Sequence, residues 1–150
     1  MLALRPARPE EASSLTELCL RSKAVWGYDA AFMAACRKEL ALTPDKIASS
    51  RVQVAEIDGR IVGMAEVKSD GEVAQLEKLF VEPDRLRAGA GRLLFDWAAA
   101  TARAAGATVL QIEADPDAAP FYRRMGAVDD GVVPSGSIPG RIIPKLNLPL

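Results

Sequence analysis

Histidine is absent from this chain of 150 residues. The imidazole is the side chain that most often serves as general base and one of the commonest ligands of zinc. Its absence excludes Ser/His and Cys/His dyads and most zinc sites. Any acid–base chemistry must therefore use Glu, Asp, Tyr, Lys, Cys or water.

Cysteine is scarce. Cys19 and Cys36 are the only two, they lie in helix-like apolar patterns, and they form no CxxC pair. This arrangement predicts buried free thiols in a reducing compartment rather than a disulfide or a metal site.

An excess of charge and a long apolar run are also missing. Nineteen basic residues oppose 20 acidic ones, so the formal net charge is −1 and does not favour nucleic acid or a membrane surface as partner. No apolar run approaches the roughly 20 residues that a membrane span requires, and the N-terminus has no signal-peptide pattern. We expect a cytoplasmic protein.

The chain has enough apolar material, 49% of its residues, for one sizeable core, and its length predicts a single domain over residues 1–150. A strand-like start is followed by two amphipathic helical patterns, over residues 9–25 and 28–40. Three strand-like runs between residues 51 and 83 are joined at Asp58-Gly59 and Asp70-Gly71, which predicts an antiparallel meander.

The second half begins with a helical pattern over residues 91–105 that turns Leu93, Leu94, Trp97 and Ala98 inward. A buried strand over residues 108–114 follows this crossover helix and should therefore lie parallel to the strand before it. A short helix ends at Gly126. Two final strands, near residues 128–133 and 141–148, flank a loop rich in proline and glycine, and the prolines at positions 134, 139, 144 and 149 favour sheet edges or loops.

The segment VEPDRLRAGAGRLLFDWAAA, residues 81–100, enters its helix without a capping side chain, because residues 88–91 contain no Ser, Thr, Asp or Asn. Gly89 and Gly91 allow the backbone to approach a ligand closely. The helix dipole together with Arg87 and Arg92 favours an anion such as a phosphate or pyrophosphate. A glycine turn whose N–H groups face water is the alternative.

Two common phosphate-binding loops do not fit this segment. A P-loop requires GK[ST], but here Arg92, Leu93 and Leu94 follow the second glycine. A dinucleotide fingerprint requires a small residue where Leu94 stands.

Two stretches, LFVEPDRLRAGAGRLLF and IEADPDAAPFYRRMGA, resemble the two signatures of the GNAT family of acetyl-CoA-dependent N-acetyltransferases. The order of strands and helices is similar across essentially the whole chain. WGYDAAFMAACRKEL and VPSGSIPGR also resemble a recurring subgroup of small stand-alone acetyltransferases. The sequence departs from the family at Leu86 and Arg87, where Gln or Arg and then Gly are usual.

The resemblance implies an α/β (α+β) fold with a mixed, mostly antiparallel sheet of about six to seven strands, helices on both faces, and a central parallel strand pair that splays apart. The pantetheine arm of acetyl-CoA would enter this gap, and no metal would be needed. By position, two sets of residues would bind the donor. Backbone groups of Leu79, Phe80 and Val81 would bond the arm, and the loop of Arg87, Ala88, Gly89, Ala90, Gly91 and Arg92 would wrap the pyrophosphate.

For catalysis, the resemblance places Tyr122 near the thioester sulfur, as proton donor to the thiolate or as an orienting group. The backbone N–H near Phe80 or Val81 would stabilise the oxyanion. Strand alternation puts Glu77 on the same side as Leu79, where it could act as general base, although a salt-bridged surface carboxylate is an equal alternative. Glu113 and Asp115 are weaker candidates, and Asp115 with Asp117 is better explained as the cap of the next helix.

The acceptor would be a primary amine of a small molecule or peptide. Trp26 and Tyr28, at the break between the first two helices, could wall its pocket or simply staple the helices together. A homodimer through the last strands is a further expectation. The alternatives to an enzyme are a non-catalytic acetyl-CoA sensor and, more remotely, a nucleotide-binding module.

Overall fold

A single mixed sheet takes its strands from the whole chain. The computed structural model describes residues 1–150. Its strands are β1 Leu2–Pro6, β2 Arg51–Ile57, β3 Arg60–Asp70, β4 Val73–Val81, β5 Val109–Glu113, β6 Val128–Pro134 and β7 Ile142–Pro149. The seven strands lie in the order β1-β2-β3-β4-β5-β7-β6, and only the β4–β5 pair is parallel.

Five helices connect these strands: α1 Ala12–Ala24, α2 Ala30–Leu40, α3 Pro44–Ser49, α4 Ala90–Ala104 and α5 Ala119–Arg124. Asp29 caps α2 by accepting the N–H of Phe32, and Thr43 caps α3 in the same way. Helix α4 starts one residue earlier than predicted, and no side chain caps it. None of the helices combines the length and hydropathy needed to cross a membrane.

The helices cover both faces of the sheet, as predicted. One core lies under α1, α2 and α3 and contains Leu15, Cys19 and Cys36. Both cysteines are buried free thiols, as expected. The other core lies under α4 and α5, and its largest fully buried member is Phe95.

The inward face of α4 differs from the prediction at one position. Leu94 and Ala98 are buried as expected and Trp97 is partly buried, but Leu93 is 40% exposed. Phe95 takes its place in the core, because the buried stripe of α4 follows positions 94, 95, 98 and 102.

The parallel pair at the centre of the sheet splays apart. Pairing between β4 and β5 covers three positions and ends at Gln75 and Gln111, whose side chains share a hydrogen bond of 2.6 Å. Beyond it β4 continues to Val81 and β5 to Glu113. A bulge at Glu77, where the register with β3 shifts, accompanies this divergence, since bulges bend the strand that carries them.

The prediction that the last strands are edges is wrong for β7. This strand lies between β5 and β6, although it contains Pro144 and Pro149. Pro149 occupies the last pair with β5, and Pro144 lies one residue beyond the pair Glu113–Lys145. Both prolines therefore stand where the ladder with β5 begins or ends.

Candidate active site

A cleft of about 390 Å³ opens between the diverging ends of β4 and β5. Helices α1 and α2 and the segment between β6 and β7 line one part of it. Helix α5, the loop before α4 and the start of α4 line the other. The cleft thus passes through the sheet at the gap where the strand ladder has ended.

The edge of β4 along this cleft is free to bind a ligand backbone. Leu79, Phe80 and Val81 all line the cleft, and on their other side they pair with β3. No strand occupies the second edge there, because β5 has already separated from β4. Unpaired backbone groups require a partner, and an extended amide-containing chain can supply one by adding to the strand edge.

The loop before α4 presents N–H groups that no protein atom accepts. Within it, the N–H of Ala88 bonds the carbonyl of Arg85, and that of Leu93 bonds Gly89. The N–H groups of Gly89, Ala90, Gly91 and Arg92 make no hydrogen bond in the structure. Together with the dipole of α4, these donors fit a phosphate or diphosphate.

The backbone conformation of this loop is compatible with its sequence. Gly89 has a φ of 90°, in the left-handed region that favours glycine. Arg87, which replaces the usual glycine, does not have a positive φ and is not strained. Gly91 and the exposed Leu86 line the cleft. Arg87, Ala88 and Gly89 lie in the loop between them, Ala90 and Arg92 flank Gly91 in the first turn of α4, and none of these five lines the cleft itself.

Tyr122 directs a free hydroxyl toward the cleft. Its side chain is 7% exposed and lines the cleft, and its hydroxyl has no hydrogen-bond partner in the protein. Phe95 and Phe121 hold the ring in aromatic contacts, with ring centroids 5.9 and 5.3 Å away. Burial, with a contribution from the charge of Asp115, raises the pKa of Tyr122 well above its ordinary value. The residue is therefore a neutral hydrogen-bond donor at physiological pH.

Glu77 lines the cleft and is exposed, but the alternation on which its predicted orientation rested is interrupted at this position. Leu76 and Leu79 both pack against the core under α4, although they are three positions apart. The side-chain alternation of β4 therefore changes phase at the bulge, so alternation does not establish that Glu77 and Leu79 share a side. Glu77 forms no ion pair, so it is free for acid–base chemistry. Glu113 is also exposed and lines the cleft.

Asp115 is the centre of a network that we call the Asp115 junction, formed by Lys23, Tyr28, Asp115 and Arg141. The Asp115 carboxylate accepts hydrogen bonds from the Tyr28 hydroxyl at 2.6 Å and from Lys23 Nζ at 3.3 Å, and Arg141 Nη2 lies 3.6 Å away. It also accepts the N–H of Asp117. The predicted role of Asp115 and Asp117 as caps is wrong, because α5 begins at Ala119 without a side-chain cap.

The network sets the ionisation of its members. Burial opposes the charge on Asp115, but the hydrogen bond from Tyr28, the N–H of Asp117 and the charge of Lys23 outweigh it, so the pKa of Asp115 lies below its usual value. Burial and the hydrogen bond to Asp115 raise the pKa of Tyr28 to about 12. Asp115 is therefore an anion and Tyr28 a neutral phenol across the physiological range.

The two aromatic residues predicted to wall an acceptor pocket have different positions. Trp26 is 45% exposed and lines the cleft. Tyr28 does not line it. Instead it stacks on Phe32, with ring centroids 3.9 Å apart, and holds Asp115 and Arg141 in place through its hydroxyl. The expectation of an exposed aromatic is therefore corrected for Tyr28.

Other groups around the cleft escaped the sequence analysis. Lys23 and Arg141 belong to the Asp115 junction, and the hydroxyl of Ser137 donates to Glu39 across the cleft mouth. The segments WGYD and VPSGSIPGR contain or adjoin these residues, but their pattern gave no roles. The described chain has no group of three or more His, Cys, Asp or Glu side chains that could hold a metal ion.

Comparison with known proteins identifies the same architecture in several solved structures. A GCN5-related N-acetyltransferase from Rhodopseudomonas palustris is 25% identical, with a TM-score of 0.82 over 99% of this chain and 95% of that one. The PaiA N-acetyltransferase from Thermoplasma acidophilum, solved with coenzyme A, is 16% identical, with a TM-score of 0.83 over 100% and 99%. The ribosomal-protein-S18-alanine N-acetyltransferase from Escherichia coli is 17% identical, with a TM-score of 0.72 over 99% and 94%.

Sequence comparison gives the decisive result. No curated protein sequence matches the chain. The sequence model described as the acetyltransferase (GNAT) domain, however, matches residues 14–133, which include the meander, the splayed strands, the loop before α4 and Tyr122. The chain therefore belongs to the GNAT family of acetyltransferases.

Proposed function

We propose that the protein is an N-acetyltransferase that transfers the acetyl group of acetyl-CoA to a primary amine of a small molecule or peptide, by direct attack in a ternary complex. One observation carries the proposal: the cleft joins three kinds of unpartnered hydrogen-bonding groups. These are the free edge of β4, the uncapped N–H groups before α4, and the hydroxyl of Tyr122.

The residues present fit acetyl-CoA, which supplies the activated acetyl group as a thioester. The edge at Leu79, Phe80 and Val81 binds the amide-containing arm. The N–H groups of residues 89–92 bind the diphosphate. The T. acidophilum neighbour, which shares the fold and was solved with coenzyme A, supports this assignment.

Tyr122 gives a proton to the departing thiolate, because its burial keeps it neutral and its hydroxyl has no other partner. The backbone N–H near Phe80 or Val81 stabilises the negative charge that develops on the carbonyl oxygen. Glu77, exposed at the bulge and without an ion pair, accepts the proton of the incoming ammonium group directly or through water.

The test is CoA release from acetyl-CoA across an amine library, measured for the wild type and for Tyr122→Phe. Loss of a general acid costs on the order of 10²-fold in rate, so we expect kcat to fall by about that factor while the KM for acetyl-CoA stays within about threefold. The control is Trp97→Phe, a change at a partly buried aromatic residue of α4 that does not line the cleft. It should retain a kcat much closer to that of the wild type.

Two other outcomes would replace this proposal. Tight binding of acetyl-CoA with no CoA release for any amine would indicate a non-catalytic sensor. Greater thermal stabilisation by ATP or NAD than by CoA would indicate a nucleotide-binding module. Equal kcat values for the wild type and Tyr122→Phe would remove Tyr122 from the mechanism.

The proposal includes a homodimer formed through the last strands and a cytoplasmic location. β6 is a sheet edge, and Val128, Val132 and Ile142 are each more than 60% exposed on β6 and β7. Exposed apolar side chains on an unpaired edge favour association. The buried free thiols of Cys19 and Cys36 suit a reducing compartment.

A further inference from the structure

Within the Asp115 junction, two cations share a single carboxylate. Lys23 and Arg141 both line the cleft, and Asp115 is the only carboxylate within ion-pair distance of either one. One anion thus faces two cations. Glu39, which also lines the cleft, accepts the hydroxyl of Ser137, and Asp117 is exposed and forms no ion pair.

Both cations keep hydrogen-bond donors that no protein atom accepts. The guanidinium of Arg141 donates through Nη2 to the Tyr28 hydroxyl at 2.8 Å, and its Nε and Nη1 make no hydrogen bond. The ammonium of Lys23 donates once, to Asp115. The two side chains are only 20% and 14% exposed, so water solvates them incompletely. Partly buried charged donors of this kind are stabilised by a ligand anion.

The orientation of Arg141 is fixed before any ligand arrives. Its guanidinium lies over the stacked rings of Tyr28 and Phe32, 5.3 and 4.9 Å from their centroids, and one of its nitrogens is bonded to the Tyr28 hydroxyl. A guanidinium held in this way presents its remaining N–H groups in a fixed fork, which matches the two oxygens of a carboxylate. Little side-chain entropy remains to be lost on binding.

From this geometry we infer that the acceptor is an amine that also bears a carboxylate, as a free amino acid does, and that Arg141 with Lys23 binds the carboxylate. The inference rests on the proposed function and names the substrate class of the same site. Lys23 lies on α1 and Arg141 just before β7, and the two cations converge on the same oxygen of Asp115 at 3.3 and 3.6 Å. The amine can then lie toward Tyr122 and Glu77, which line the same cleft.

The experiment compares matched acceptors that differ only in the carboxylate: amino acids, their primary amides, and the amines left by decarboxylation. CoA release is measured for the wild type, Arg141→Gln, Arg141→Lys and Lys23→Met. A hydrogen bond to a charged group contributes about 1.5–3 kcal/mol. We therefore expect Arg141→Gln to lower kcat/KM for amino acids by about 10–100-fold, mainly through KM, and to change the values for amides and decarboxylated amines by less than about threefold.

Arg37→Gln is the matched control, since Arg37 is an exposed arginine on α2 that pairs with Glu17 and does not line the cleft. Each variant is first tested for thermal stability and CoA binding. If Arg141→Gln does not fold, Lys23→Met is compared with the wild type instead. We expect this variant, too, to lose part of the preference for amino acids over their amides and decarboxylated amines.

Equal use of amino acids and their amides by the wild type would overturn the inference, and so would an equal loss on both classes in Arg141→Gln. Turnover of decarboxylated amines but not of amino acids would overturn the inference about the carboxylate. It would still support the proposed acetyltransferase activity. If no amine releases CoA, the proposed function fails. The carboxylate site is then tested by the thermal shift that amino acids produce in the CoA-saturated protein. Stabilisation by amino acids that is lost in Arg141→Gln supports the site, and its absence contradicts it.

Discussion

Tyr122 combines a buried ring with a hydroxyl that has no protein partner and faces the cleft, where a ligand can form a hydrogen bond with it. The sequence predicted its place beside the cleft through the FYRRMG segment. What the sequence could not predict was the absence of a protein partner, because this depends on Phe95 and Phe121, which hold the ring, and on the path of β5.

Gly89 and Gly91 make different demands on a substitution. Gly89→Ala places a side chain at a φ of 90° and should cost about 1–2 kcal/mol of folding free energy. A Cβ at Gly91 would meet only Phe121 at 3.5 and 3.6 Å and Val81 at 3.8 Å, which are ordinary contacts, so Gly91→Ala should leave stability almost unchanged.

Gly91→Ala should nevertheless weaken binding of the donor, because Gly91 lines the cleft and its added methyl group would lie beside Phe121 and Val81, which line it too. We expect the KM for acetyl-CoA to rise by roughly tenfold, the equivalent of about 1.4 kcal/mol. Steady-state kinetics and thermal unfolding measure the two effects separately. An unchanged KM for a stable Gly91→Ala protein would argue against donor binding at this loop.

Asp115 should make folding stability depend on pH in the acid range. Its pKa in the folded protein lies below the ordinary value of 3.8, so its stabilising contribution is complete above that value and is lost as pH falls through the lower, folded-state pKa. Asp115→Asn leaves two partly buried cations without their anion and should cost about 2 kcal/mol at pH 7.

Urea unfolding at a series of pH values tests this expectation. The difference in unfolding free energy between wild type and Asp115→Asn should be constant from pH 5 to 7 and shrink below pH 4. A difference that does not depend on pH would show that the carboxylate contributes through shape rather than charge. Sequence analysis named Asp115 only as a weaker candidate base and a helix cap, because its partners come from positions 23, 28 and 141, far apart in the chain.

The bulge in β4 shows why alternation alone could not place Glu77. The strand was predicted correctly, but a single extra residue reverses the side on which every later side chain lies. The meander and the crossover helix were predictable because turn residues and hydrophobic periodicity are local. The bulge depends on the pairing partner β3, which no local pattern reports.

A buried ion pair stands beside this bulge and should stabilise it. Lys78 Nζ lies 3.0 Å from Glu66, the two side chains are 7% and 4% exposed, and Ser50 also donates to Glu66. Lys78→Met would leave a buried carboxylate without its cation, which costs about 3–5 kcal/mol. Unfolding in urea should show this loss.

The double variant Lys78→Met/Glu66→Met is the control for this prediction. Removing both charges in favour of apolar side chains is often close to neutral, so the double variant should recover most of the lost stability. If it is as unstable as Lys78→Met alone, the packing of the lysine stem rather than its charge holds the bulge.

The fold as a whole was largely predictable, since the order of elements, the parallel pair and the helices on both faces followed from periodicity, turn residues and the resemblance to the GNAT family. The position of β7 was not. Its prolines favoured an edge, but it enters the sheet between β5 and β6 because Pro144 and Pro149 stand beyond or at the end of its ladder with β5. Register, rather than composition, decides whether proline is tolerated.

Association of two copies is a prediction about the exposed β6 edge. Val132→Glu puts a charge on this edge at a side chain that is 62% exposed, so folding should be unaffected while the homodimer dissociates. Light scattering after size exclusion measures the mass. A wild type that is monomeric at all concentrations tested would contradict the homodimer.

The central claim is that the donor lies between the diverging ends of β4 and β5, with its diphosphate on the N–H groups before α4. A titration of the ¹⁵N-labelled protein with CoA, followed by amide chemical shifts, tests it most directly. The account predicts saturable shifts at Gly89, Ala90, Gly91 and Arg92 and at Leu79, Phe80 and Val81. Saturable shifts confined to other parts of the molecule, or no binding at millimolar CoA, would contradict it.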